Sequence, residues 1–576
     1  MLTEQPAKSP AKPPVAGILI DGAKGRYFPM DKKNSSDSLA GFDFIVIGAG
    51  SAGCVVAARL AEAGERVALL EAGKADHSPF IHIPAGVAHL LYHSKYNWMY
   101  SSEPEASTYN RKIHTPGGKV LGGSSSINGM LYVRGNRADY DGWAEQGCAG
   151  WSYDEVLPLF KKSEHYLNGG DAAYRGTSGP LKVEDYRTVL PLTHLFVKAA
   201  QQAGFRFTQD MNGPNQEGVG YSQMTRLGRF RGSTYRTFLK DSTSRRNVQI
   251  ETEALVTTLL MEDARCVGVR YTQRGNSREL RARKEVILSA GSINSPQILQ
   301  LSGIGDPEHL KQVGITPRVD LPGVGRNLSD HYASRLVYRL KSLVSVNELA
   351  RGWKLIPEIF KFFLFGRGAL TFGVTTSSVF CRSTPELEAP DIQLLFTPAS
   401  YVFGKALIMD DKPGMTVAVC PTRPVSRGSV LIDSADPHRP PKIRFGYLTV
   451  AQDVRVMNAG LRHARRILNS PSLAPYLISE ITPGPAADSD TDLERFARKE
   501  GSSLFHPVGT CKMGIDEMAV VDPTLKVRGI SGLRVADASV MPFLPTGNTN
   551  ASAILIGEKA AEMILGDWRE SLSPSR

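Results

Sequence analysis

The 576-residue chain has only six cysteines, at positions 54, 148, 266, 381, 420 and 511, with no CxxC pair and no regular spacing. That pattern excludes a disulfide framework or a thiolate metal centre and fits reduced interior thiols. No run reaches 18 consecutive apolar residues, so no spanning helix is expected. Residues 1–40 open polar and Lys/Pro-rich and lack an apolar stretch followed by a small-residue cleavage site, so a cytoplasmic location, with peripheral membrane association as an option, is the expectation. The first dozen residues read as disordered, and Val15–Ile20 and Tyr27–Met30 as an arm over the body. There is no long Lys/Arg block and no zinc-finger or other nucleic-acid motif. The net charge of +11 and the isoelectric point near 9.2 are therefore assigned to solubility and a cationic cofactor channel, not to nucleic acid. His77, His82, His89 and His93 share one loop without HxH or HExxH spacing, so no metal site is expected.

What is present is dense in glycine, 55 residues in all, and concentrated in a few blocks. The apolar run Phe44–Ile47 stops at Gly48-Ala-Gly50-Ser-Ala-Gly53, a segment with helical apolar spacing follows, and a second run, Val67–Leu70, ends on Glu71. Strand, tight turn, helix and strand in that order form a dinucleotide fingerprint. Gly48 permits the turn, Gly50 admits a pyrophosphate and Gly53 lets helix and sheet pack closely. The helix N-terminus, from Ser51 and Ala52, offers N–H groups to phosphate. Glu71, 23 residues after Gly48, is placed to accept from a ribose hydroxyl. The pattern alone does not separate NAD from FAD.

Further along, Pro116–Gly129 carries two glycine pairs around Val120-Leu121 and then three serines entering a helix, a loop suited to lie against a flavin ring or diphosphate. Helices are expected at 153–162, 192–204, 453–468, 491–500 and 551–564, and strands at 247–255, 264–271 and 284–289. Residues 391–396, 415–420 and 429–433 read as strands of an antiparallel sheet. Leu321–His331 is a constrained loop crossing between domains. Residues 353–365 are apolar and aromatic with interspersed lysines; a buried helix is the favoured reading, with a substrate route or a peripheral membrane contact as the others. Near the C-terminus, Pro507 and Gly509 fix the backbone beside His506, and Asn548 and Asn550 open an apolar helix. On spacing alone, His506 is as readily structural as catalytic.

Four blocks together resemble the glucose–methanol–choline (GMC) oxidoreductases, FAD enzymes acting mainly on alcohols. They are the fingerprint with Glu71-Ala-Gly73, Gly118–Asn128, Gly291–Gly305, and the His506 and Asn550 regions, spanning residues 42 to about 565. The resemblance implies an α/β fold: a Rossmann-like FAD-binding domain, discontinuous over 41–135, 230–330 and 501–570, plus an α+β substrate domain over 136–229 and 331–500 whose antiparallel sheet covers the flavin. It makes His506 the base and Asn550, 44 residues on, its partner toward the substrate oxygen. Cofactor contacts are implied for Gly48, Gly50, Ser51, Ala52, Gly53, Glu71, Ala72, Gly118, Gly122, Gly123, Ser124, Asn128, Val256, Asp537, Ala538, Asn548 and Thr549. Ile127 stands where some members attach FAD through histidine, which implies non-covalent FAD. The expected activity is oxidation of an apolar or aromatic primary alcohol, with oxygen or a quinone as acceptor. The alternatives on this scaffold are cyanohydrin cleavage and light-driven fatty-acid decarboxylation, the latter with Arg423, Arg427 or Arg439 for the carboxylate.

Overall fold

The strands Phe42–Ile47 and Val67–Glu71 are almost wholly buried, because both faces of the sheet they belong to are covered. That is why they read as continuous apolar runs rather than alternating ones. The structure is a computed structural model that describes residues 41–403 and 407–572; the arm expected at 1–40 lies outside the described residues. The first sheet runs Val248–Thr252, Val67–Glu71, Phe42–Ile47, Asn276–Leu288, Arg265–Gln273, Ala254–Glu262, with Leu533–Val535 beside Asn276–Leu288. Its first four strands and Leu533–Val535 pair in parallel, and the 254–288 portion is an antiparallel meander. Ile47 lies level with Leu70 and Leu288, and Leu288 with Val535, so neighbouring strands end together. The crevice beyond such carboxyl ends is where an α/β sheet receives its ligand.

Helix Ser51–Glu62 packs on the long C-terminal helix Asn550–Leu572. Their approach is so close that a Cβ on Gly557 would lie 2.7 Å from the Ala52 carbonyl oxygen. Wholly buried Glu558 accepts two hydrogen bonds from Arg59, at 2.7 and 2.8 Å, and one from Ser163 Oγ at 2.8 Å. A buried carboxylate is stable only when paired and hydrogen-bonded in this way.

The second sheet is antiparallel throughout, in the order Leu477–Thr482, Tyr332–Leu340, Gly414–Pro421, Ile392–Thr397, Ser377–Cys381, Gly218–Tyr221. Helix Ala451–Leu468 covers one face, with Met457, Leu461, Ala464 and Ile467 in one core with Leu336, Leu394, Val417 and Val419. The opposite face, carrying Arg335, Val337, Leu395 and Ala418, lines a cavity shared with the first sheet.

Several elements differ from the sequence reading. The single strand expected at 247–255 is two, broken at Glu253, whose φ of 57° turns the chain so that each half pairs elsewhere. The serines after Gly122 form only a short 3₁₀ turn, Gly123–Ser126, because Ser125 and Ser126 spend their hydroxyls on the Gly122 and Leu121 carbonyls. Ser429–Leu431 pairs with Lys442–Arg444 in a separate ribbon, not with the large sheet. Helix Leu355–Phe365 is not buried: only Glu358 and Phe362 are covered. All six cysteines are free and buried.

The glycine geometry gives a paired test. A Cβ on Gly53 would lie 2.0 Å from the Gly48 oxygen, whereas one on Gly566, also helical, would meet nothing within 4 Å. Gly53→Ala is expected to lower stability by about 1–3 kcal/mol and to reduce cofactor loading. Gly566→Ala should be neutral or stabilising by up to about 1 kcal/mol. Thermal melts of the two variants check this.

Candidate active site

Three helices, Ser51–Glu62, Gly291–Leu301 and Asn550–Leu572, open onto one cavity of about 910 Å³. Their free N–H groups and dipoles make that end a place for anionic phosphate. Gly48 has φ +97° and a Cβ there would lie 2.5 Å from the Ser289 oxygen, while a Cβ on Gly50 would meet nothing. Gly48 and Gly53 thus close the turn, and Gly50 leaves its backbone open to a ligand. The second glycine block docks on the first: Gly122 donates to the Ala49 carbonyl at 2.8 Å, and a Cβ on Gly123 would lie 2.6 Å from Gly50 Cα.

Glu71 is 5% exposed and accepts from the Ala49 and Gly73 N–H groups at 3.0 and 2.8 Å. Burial pushes its carboxyl up to about 7 against those two N–H groups and Lys119. Each oxygen keeps a lone pair for a hydroxyl donor. Asp537 ties the first turn of helix Gly291–Leu301 to the last strand, accepting from Gly291 N at 2.8 Å and Ser295 Oγ at 2.6 Å. Ala52, Ala72, Gly118, Ser124, Asn128, Val256, Ala538 and Thr549 also line the cavity, and Gly53 and Gly122 stand behind its wall.

At the other end, His506 meets two partners. Its Nδ1 is 2.9 Å from His331 Nδ1, and its Nε2 is 3.2 Å from Asn548 Nδ2. His331 Nε2 lies 3.0 Å from the Thr422 carbonyl oxygen. A carbonyl only accepts, so His331 carries its proton on Nε2. Burial holds His331 down at about 4, so it is neutral near pH 7 and its Nδ1 is bare. His506 must then donate from Nδ1, which leaves its Nε2 lone pair facing Asn548 and the cavity. Burial and His331 push His506 well below the usual histidine range, so Nε2 is unprotonated at neutral pH and accepts from Asn548 Nδ2.

The backbone around His506 is clamped. Buried Asp330 accepts from His506 N at 2.7 Å, from Ser503 Oγ at 2.6 Å and from the Tyr447 hydroxyl. Phe505, immediately before, has φ 69°, a conformation that costs a non-glycine residue energy and persists where the surroundings enforce it.

Of the expected pair, Asn550 does not reach His506: its Oδ1 accepts from Ser51 Oγ at 2.8 Å, joining the two helix starts. Asn548 is the amide against the ring, and its buried Oδ1 has no partner among the described residues, which leaves an acceptor for a bound group. Arg423, Arg427 and Arg439 hold Asp139, Asn327 and Asp433 and do not line the cavity; the arginines that do are Arg111 and Arg335. The sequence reading missed Asp330, His331, Thr422, Tyr447 and Arg335. Asp330-His331 ends the Leu321–His331 loop, and that was the one available signal.

The comparisons decide the family. Residues 42–333 match the N-terminal and 424–557 the C-terminal part of the GMC oxidoreductase family. The chain is a GMC oxidoreductase. It is 41% identical to an alcohol dehydrogenase [acceptor] of Pseudomonas putida over 91% of this chain and 96% of that one. It is 43% identical to an oxygen-dependent choline dehydrogenase of Rhizobium johnstonii, over 91% and 95%. Among solved structures, a formate oxidase of Aspergillus oryzae superposes with a TM-score of 0.85 at 29% identity, over 92% of this chain and 99% of the other. A pyridoxine 4-oxidase from Mesorbium loti does so with 0.82 at 29%, over 91% and 99%. The fold of this GMC oxidoreductase, its open Gly50 backbone, its buried Glu71 and the orphan Asn548 acceptor all suit FAD, the cofactor of the family.

The histidine chain has a pH signature. Unfolded, His331 takes up a proton near pH 6.5; folded, only near 4, so the stability it confers is complete above 6.5 and drains as pH falls toward 4. The loss is up to about 3 kcal/mol. His331→Gln of this GMC oxidoreductase should flatten that part of the acid limb, measured as melting temperature between pH 4 and 7.

Proposed function

We propose that this GMC oxidoreductase oxidises a primary alcohol to the aldehyde, with FAD held non-covalently and His506 as the base. The observation that carries the reading is the His506–His331–Thr422 chain, which orients His506 with Nε2 as an acceptor beside the Asn548 amide at the cavity. Glu71 and the three helix starts would hold the nucleotide end of FAD, and Gly123, Ser124 and Asn128 would run along its inner part. When bound, FAD supplies the hydride acceptor. His506 Nε2 takes the hydroxyl proton, and the Asn548 amide beside it orients the substrate oxygen. Asn550 shapes the first turn of its helix through Ser51. Ile127 is buried among Ile81, Leu90, Tyr96 and Val120, apolar neighbours that offer no attachment chemistry.

An apolar or aromatic alcohol suits the wall made by Leu131, Val337, Val374, Leu395, Ala418 and Leu504. The same sheet face presents Arg335, and of the cavity carboxylates Asp410 is paired with Arg339. Oxygen or a quinone is the acceptor, and reoxidising the reduced enzyme with each separates the two.

Anaerobic mixing with aliphatic and aryl alcohols should bleach the flavin in the dark. His506→Ala should slow that bleaching by about 10²–10⁴-fold while the protein stays yellow; wild-type rates in the variant would sink the base assignment. Bleaching that requires light and a fatty acid would replace the reading with decarboxylation. Acid precipitation should leave the yellow colour in the supernatant, as non-covalent FAD requires, and colour in the pellet would overturn that part.

A further inference from the structure

Helix Leu355–Phe365, with the turn Gly352–Lys354 before it, is built inside out. Its covered positions are Phe362 and a carboxylate, Glu358, which accepts from Ala369 N at 2.7 Å and Lys361 Nζ at 2.6 Å. Facing solvent are Trp353 at 76%, Ile356 at 56%, Phe360 at 61%, Phe363 at 50%, Leu364 at 65% and Phe365 at 67% exposed. At about 100° per residue, Trp353, Ile356, Ile359, Phe360, Phe363 and Leu364 fall in one stripe roughly 140° wide. Lys354 and Lys361 fall together on its flank, between the stripe and the covered side. Soluble proteins seldom leave so continuous an apolar surface without a use for it.

We infer that this face docks on an anionic lipid bilayer, with the helix lying in the plane of the interface. The arrangement has the parts such a helix needs: a wide apolar face with tryptophan and phenylalanine, and basic side chains on the flank at headgroup height. The surrounding charges agree. Lys361 pairs with Glu358, Arg187 with Glu184 and Lys354 with Glu348, while Arg229, Arg351 and Arg367, on or beside the helix or its flanking turns, have no carboxylate partner among the described residues. A two-fold contact between copies across this face would set those cations against their own kind, whereas anionic lipid supplies the missing charge. The helix packs on Ala369–Thr371, and the chain continues at once into Val374 and Thr375, which line the active-site cavity. The docked face therefore lies next to the wall of the site. No helix among the described residues is long and apolar enough to cross a membrane, so the contact is peripheral.

The test is vesicle flotation of the full-length, FAD-loaded protein with phosphatidylcholine vesicles and with vesicles containing a third phosphatidylglycerol. Binding is expected to the anionic vesicles and to weaken with salt. The Phe360→Ser/Phe363→Ser/Leu364→Ser variant should lose roughly tenfold or more of that partitioning. Tryptophan emission should shift to the blue on vesicle addition and the shift should vanish in Trp353→Phe. Absence of flotation with either vesicle would overturn the inference. So would partitioning unchanged in the triple variant, or a wild-type oligomer that the triple variant converts to monomer in lipid-free light scattering.

Discussion

The carbonyl oxygen of Thr422 can accept a hydrogen bond and cannot give one, and the protonation pattern of the site follows from that. Two imidazoles in contact through their Nδ1 atoms could share a proton in either sense. The Thr422 carbonyl removes the choice by claiming the Nε2 hydrogen of His331. Burial removes the remaining freedom by keeping both rings neutral. The geometry is held by backbone pairing: Tyr332 lies opposite Ser503, Leu504 N donates to the His331 carbonyl, and Ser329 and Val508 exchange hydrogen bonds. Thr422 itself follows directly on strand Gly414–Pro421, the neighbour of Tyr332–Leu340 in the sheet. The antiparallel sheet is thus more than a wall, since its register sets the tautomer of His506.

The nucleotide end was legible in the sequence because its chemistry is local. Gly48, Gly50, Gly53 and Glu71 lie within one strand–helix–strand unit, and each acts through its own backbone or a near neighbour. The reactive end was legible only in part. Pro507 and Gly509 left His506 undecided and only the family resemblance singled it out, and its partner lies 175 residues earlier in the chain, brought to it by strand register, which no local pattern encodes. Asn548 and Asn550 are two residues apart and chemically identical, so only their packing separates the one that meets the imidazole from the one that meets Ser51. Helix Leu355–Phe365 was misjudged for a different reason. Apolar composition points to burial only when another element is there to cover it, and here its one covered strip is built on Glu358 and Phe362.

Burial does opposite work on the two sides of the cavity. It raises the carboxyls of Glu71 and Asp330, to about 7 and about 6, and depresses both imidazoles. Each carboxylate is compensated by aimed N–H or O–H donors, so fixed dipoles take the place of water around it. Such a site needs no reorganisation when a proton moves, which is the condition for electrostatic preorganisation.

The pairing of helix Ser51–Glu62 with helix Asn550–Leu572 has a consequence for how the protein is made. Ser51 to Asn550, Arg59 to Glu558 and Ala52 to Gly557 are contacts between residues about 500 positions apart. The ribosome therefore releases the nucleotide fingerprint long before the helix that covers it exists. Until Asn550–Leu572 emerges, Ala52, Val55 and the Arg59 guanidinium have no lid, and this side of the glycine turn stands open. Loss of Asn550–Leu572 should then be felt at the first glycine turn as severely as a lesion in that turn itself.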